Sequence, residues 1–190
     1  MPRRLPRPHD RPLRNLPQPE LMSHFANALL EQDGVAGAHC IHERWMRGGE
    51  FPQNIEQAIE QLWQRAAKSI PEWLPMRYVS WLPQAYEIAS RFESRAKGRY
   101  NIYLVLLDYA DRRGDAHGVY VGMSHYKPAD RFDQHKAGIR AAGSVLKRGI
   151  EVLTGPTLHL QRMSRAEAAR IEMELAGALG DAGIHVEGGH

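Results

Sequence analysis

The run YNIYLVLLDY at residues 100–109 constrains this chain more than any other stretch. It is rich in β-branched and aromatic residues and apolar at almost every position. A strand with one wet face alternates; this one does not, so it predicts a central strand covered on both sides. The polar segment DYADRRGDAHG then turns the chain, and VYVGMS at 119–124 returns antiparallel. Gly122 ends that return where a side chain would crowd whatever approaches the backbone. Pro128, Ala129 and Asp130 predict a helix start with Asp130 as cap, continuing through RFDQHKAGIRAAG. Arg131 and His135 stand four residues apart on it, on one face. VLKRGIEVL offers a third strand to pair with the first two. MSRAEAARIEMELAGALGDAG is the clearest helix: Ser164 caps it, Glu167 completes a capping box, and Ala168, Ile171, Leu175 and Leu179 form its apolar stripe. Glu172 lies beside that stripe, and Glu174 points about 200° away from it.

The first half has a different period. Leu21, Phe25, Leu29 and Leu30 share a helical face over 20–33, with Gly34 as its stop. GVAGAHCIHERWMRGGEFPQ reads as a loop. Its His39, Cys40, His42 and Glu43 are spaced too tightly for a zinc site, so they read as a buried cysteine among partly exposed histidines. Asn54 and Gln57 predict the start of a helix carrying Ile55, Ile59, Leu62, Trp63 and Ala66. Pro83 suits the first turn of another. Trp63, Trp73 and Trp81 are read as packing residues of this helical part. Three segments follow: an Arg/Pro-rich arm over 1–18 with little to bury, hence disordered or extended; a helical subdomain of undetermined role over 19–96; and an α+β domain over 97–190.

Charge separates along the same lines. Residues 1–18 hold five Arg and one Asp, 19–90 carry a net −4, and 91–151 hold twelve basic against seven acidic groups. The basic excess therefore sits on the arm and on the hairpin-to-helix stretch, which suits a polyanionic substrate or, equally, a solvated surface. One cysteine in 190 residues excludes an intrachain disulfide framework and predicts a reducing, cytoplasmic location. No apolar run is long enough to span a bilayer, and the basic start lacks the apolar core of a secretory signal.

Asn101-Ile102-Tyr103, Tyr120-Val121-Gly122, Arg131 and Glu172 stand in an order and spacing that resemble the catalytic domain of the GIY-YIG nuclease superfamily. The resemblance covers roughly the last half of the chain and leaves the helical first half outside. It implies a small three-stranded antiparallel sheet flanked by helices, an endonuclease cleaving phosphodiesters with a single Mg²⁺ or Mn²⁺, and nucleic acid as partner, DNA in preference to RNA. It further implies Tyr103, Tyr120, Arg131 and Glu172 as catalytic residues, with Glu172 the metal ligand. His135 resembles a histidine implicated in some restriction enzymes of the superfamily. Asn101 replaces the first signature glycine. Met123 and Ser124 stand where a lysine is frequent, leaving Lys127 and Lys136, with Gly122, as substrate-binding candidates. The late asparagine is missing from GIHVEGGH, where His185 and His190 are the substitutes on offer.

The residue types suit the chemistry. Phosphodiester hydrolysis needs an oriented water, a proton acceptor, and positive charge for the transition state and leaving oxygen. One carboxylate such as Glu172 can hold Mg²⁺ if water and phosphate complete its shell. Arg131 can fork a phosphate, and Tyr103 and Tyr120 can orient or deprotonate the water. Two other readings share these residues: a nucleic-acid-binding module that kept the fold without catalysis, and the nuclease half of a toxin or restriction-type protein. The helical first half is then a place for a protein partner.

Overall fold

The computed structural model describes residues 6–95 and 97–189. The chain divides into two compact units, Met1–Pro83 and Gln84–His190. Among the described residues no helix is long and apolar enough to cross a membrane.

In the first unit, α1 (Gln18–Glu31), α2 (Gly34–Arg47) and α3 (Pro52–Ala66) pack on one another. The stretch predicted as a loop is the central helix. Asp33 caps α2 by accepting from the Ala36 N–H at 2.9 Å, so Gly34 opens a helix where the sequence suggested a stop. Helix α2 is buried from Gly37 to Trp45, leaving no polar face to betray it. Gly37 is there because any Cβ would strike the Leu62 side chain of α3. Helix α3 begins with Phe51 as its cap and Pro52 in the first turn; Asn54 lies inside it.

The described part of the arm, residues 6–17, is fixed rather than disordered. The Glu43 carboxylate on α2 accepts from Arg11 at 2.8 Å and from Arg47 at 2.9 Å. Arg47 also donates to the carbonyls of Leu13 and Leu16. Burial pushes the Glu43 carboxyl up, and the two guanidinium groups more than offset this, holding it below its ordinary value. Residues 1–5 of the arm, Ala96 at the predicted domain junction, and His190 lie outside the described residues.

His39 and His42 pack against the Trp73 ring, at centroid distances of 4.9 and 5.7 Å. Burial lowers both, His42 to about 3, and pushes the Cys40 thiol up to about 11. These are interior side chains. Trp81 is buried as well.

Helix α4 (Leu82–Ala89) spans the division and leads to the second unit, which is α+β. Strand β1 (Lys97–Asp108) pairs antiparallel with β2 (His117–Ser124) and, on its other edge, with β3 (Gly149–Val152). Ile102 to Leu107 are all buried, as a strand covered on both faces requires. Helices α5 (Pro128–Lys136) and α6 (Gly143–Arg148) follow β2, and α7 (Arg165–Asp181) packs along β1 and β2. Phe132 of α5 and Val145 of α6 cover the face carrying Tyr103, Val105 and Leu107.

Three details of the second unit depart from the prediction. It has four strands, in the order β3-β1-β2-β4, and is mixed, because β4 (Val186–Gly188) adds parallel to β2. Only the second half of VLKRGIEVL is strand; its first half is α6, whose last turn ends where Lys136 Nζ donates to the Leu146 and Gly149 carbonyls. The N-cap of α5 is Lys127, with Asp130 within the first turn, where its charge suits the helix dipole.

Candidate active site

The site is built across the β1–β2 pair. Tyr103 lies directly opposite Gly122, and Val105 opposite Tyr120, so all four share one face and the two tyrosines are diagonal neighbours. Their ring centroids are 6.0 Å apart. A Cβ on Gly122 would come within 2.6 Å of the Tyr103 hydroxyl and 2.7 Å of the Tyr120 ring. The glycine of the second triplet is therefore the floor on which both rings rest.

Helix α5 brings its two residues to the same point, one turn apart. His135 Nε2 lies 2.9 Å from the Tyr103 hydroxyl. His135 Nδ1 lies 3.0 Å from the backbone nitrogen of Ala142, which can only donate. Nδ1 is thus the acceptor, and in the neutral ring the proton sits on Nε2 and is donated to Tyr103. Burial, then the Arg131 charge, depresses His135 to about 4, so it is neutral at pH 7. Tyr103 is 1% exposed. Burial raises its phenol well above the usual value; the neighbouring Tyr120 pushes the same way, and Arg131 opposes both.

Tyr120 is the half-exposed member of the pair. Burial raises it too, the Tyr103 hydrogen bond and the Arg131 charge pull it down, and the Glu172 charge pushes it up. Glu172 therefore reaches the site electrostatically. Its carboxylate accepts from the Met123 N–H at 3.1 Å, joining α7 to the end of β2. Two other acids of α7 are engaged elsewhere. Glu167 accepts from the Arg95 N–H, and Glu174 pairs with Arg170 on the surface of α7.

Arg131 touches this centre while its fork is filled from the other side. It donates to Gln134 Oε1, to the Ile139 carbonyl at 3.2 Å and to the Arg140 carbonyl at 2.7 Å. Arg140 has φ 45°, a left-handed conformation uncommon for a residue with a Cβ. Lys127 is exposed at the head of α5. Lys136 faces away, holding the α6 carbonyls. His185 stacks edge-on against Tyr109 at 4.5 Å and lies 3.4 Å from Glu187, so it belongs to the hairpin end of the sheet.

Two participants escaped the sequence reading. Asn101 looks there like a lost glycine, yet its amide donates to the Tyr126 carbonyl at 2.9 Å and its oxygen accepts from the Arg162 N–H at 3.0 Å. Ala142 contributes only a backbone N–H, which no side-chain pattern can announce.

Glu172 is a buried carboxylate, 8% exposed, that bears electrostatically on Tyr120, and among the described residues no group of three or more metal-ligating side chains gathers anywhere. A cation there would draw one protein oxygen and complete its shell with water and phosphate, as Mg²⁺ prefers. No family model, curated protein or solved structure matches the chain.

Proposed function

We propose that the protein is a divalent-cation-dependent endonuclease of the GIY-YIG type, hydrolysing nucleic-acid phosphodiesters at Tyr103, Tyr120, Arg131, His135 and Glu172. The observation that carries this is convergence. Residues from β1, β2 and α5 meet at the Tyr103 hydroxyl, and the Glu172 carboxylate of α7 acts on Tyr120 from the adjoining end of β2. A structural tyrosine needs one partner; Tyr103 has a histidine, an arginine and a second tyrosine.

In this reading Glu172 would hold Mg²⁺ or Mn²⁺, which would acidify a bound water so that its proton passes to bulk solvent, and would offset charge developing on the leaving oxygen. Tyr120 presents its oxygen to the attacking water and orients it. Tyr103 and His135 support it: the histidine donates to Tyr103, whose ring packs beside that of Tyr120. Neutral His135 cannot serve as proton acceptor at Nδ1 without losing Ala142. Arg131 grips the scissile phosphate by exchanging its 139–140 carbonyl partners for phosphate oxygens, and stabilises the added charge in the transition state.

The full fork of Arg131 also favours a second reading, a nucleic-acid-binding module without catalysis. The deciding experiment is incubation of purified protein with single- and double-stranded DNA and RNA, in Mg²⁺ and in EDTA. The nuclease reading predicts endonucleolytic products in Mg²⁺ alone. Binding with no cleavage of any substrate selects the module.

A further inference from the structure

Beside Arg131 a groove of about 490 Å³ opens between the end of β2 and the loop after α5. Its walls include Tyr100, His125, Tyr126, Ile139 and Arg140, with Arg131 shared between groove and candidate active site. Resting on the nucleolytic reading above, we propose that this groove is a subsite for an unstacked nucleobase adjoining the scissile phosphate. A strand unpaired at the cut is then the preferred substrate.

Four observations lead here. The aromatic residues are not core. Tyr126 is 43% exposed and His125 is exposed, their rings 4.1 Å apart, with Tyr100 edge-on to His125 at 6.1 Å. Such rings offer open π-faces, and stacking on them accepts any base. Second, the volume falls within the range of small-ligand clefts, ample for one base and its sugar. Third, two arginines and a histidine line the groove and no carboxylate does, so its charge suits a phosphate-bearing ligand.

Fourth, the platform is preorganised. The Tyr126 N–H donates to Ser124 Oγ at 3.1 Å, and its carbonyl accepts from Asn101, which is itself anchored by the Arg162 N–H. Asn101 is 8% exposed. The residue at the first signature position is thus a positioning residue for the turn that displays Tyr126. A base paired within a duplex has both faces stacked and cannot enter; an unpaired one can.

The test is fluorescence anisotropy in EDTA, with the full chain, labelled single-stranded DNA and RNA oligonucleotides, and the matching duplex. Wild type, Tyr126→Ala and Tyr126→Trp are compared across a salt series. The subsite predicts tighter binding of the single strands than of the duplex. Tyr126→Ala should weaken single-strand binding roughly 5- to 100-fold, leave duplex binding unchanged and leave the salt slope intact. Tyr126→Trp should retain single-strand binding. Equal loss on both forms, no loss, or no binding to any strand overturns the subsite. The nuclease reading is separable: cleavage in Mg²⁺ that is indifferent to Tyr126 would sink the subsite and spare the nuclease. Tyr126-dependent strand binding without cleavage would do the reverse.

Discussion

His135 Nε2 and the Tyr103 hydroxyl lie 2.9 Å apart, and because the Ala142 N–H occupies Nδ1 the histidine is the donor of that pair. This fixes a direction for hydrogen bonding from Ala142 through His135 to Tyr103, whose ring lies 6.0 Å from that of Tyr120. The histidine orients; it does not collect protons. His135→Gln, which keeps a donor, should retain more cleavage than His135→Phe, with the difference in kcat rather than in binding. Equal loss in both, read from single-turnover rates, would contradict the assignment.

The same burial has a consequence for stability. His135 is depressed to about 4, while an unfolded histidine takes up a proton near ~6.5. The unfolded chain binds more protons between those values, so stability is full above about pH 6.5 and is lost as pH falls towards 4. His42, lowered to about 3 by burial, acts in the same direction. Urea midpoints should fall over that window, and His135→Phe should flatten the fall without abolishing it. A slope unchanged by the substitution would count against a neutral buried His135.

Gly122→Ala should be damaging out of proportion to one methyl group. The added Cβ meets the ends of both tyrosine rings, which are held by His135 and the sheet and cannot swing aside. Overpacking of this kind costs about 1–3 kcal/mol. Thermal unfolding should fall by several degrees, on the order of ~4 °C per kcal/mol, and cleavage should fall with it. A neutral Gly122→Ala would mean the rings are free to move.

Much of this was legible in the chain, for identifiable reasons. The β1 run is continuous because both its faces are covered, and the four-residue spacing of Arg131 and His135 survives folding because a helix enforces it. Ser164 caps α7 as its pattern says, accepting from the Glu167 N–H, and that fixes the phase that separates Glu172 from Glu174. What failed depends on partners distant in sequence. Helix α2 opens on glycines, which argue against a helix when read in the sequence, and it is buried from Gly37 to Trp45. Strand β4 has three residues and exists only because β2 offers an edge. The arm reads as unburied until Glu43 is known to face Arg11 and Arg47.

Glu43 gives a test confined to the first unit. Its carboxylate is 2% exposed and joins Arg11 to Arg47. Glu43→Gln takes the charge from the acceptor of three guanidinium hydrogen bonds, two from Arg11 and one from Arg47, and should cost about 2 kcal/mol. It should also free the segment around Arg11, seen as faster tryptic cleavage there. Unchanged proteolysis would mean the arm is held by other contacts.

Arg131→Lys separates charge from geometry. Lysine keeps the positive charge but cannot bridge Gln134 and two carbonyls, nor fork a phosphate. The rate of cleavage should drop on the order of 10²-fold, while the salt dependence of binding changes little. Wild-type rates in Arg131→Lys would show that charge alone suffices.

The central claim is that a cation acts through Glu172 beside Tyr120. The most direct measurement runs wild type and Glu172→Gln side by side on the same labelled strand, with Mg²⁺ titrated from EDTA upwards. The substitution keeps the shape of the side chain and an acceptor for the Met123 N–H, and removes the charge. The account predicts Mg²⁺-dependent cleavage by wild type and none by Glu172→Gln at any Mg²⁺ concentration, with strand binding retained. Equal cleavage by the two proteins would contradict it.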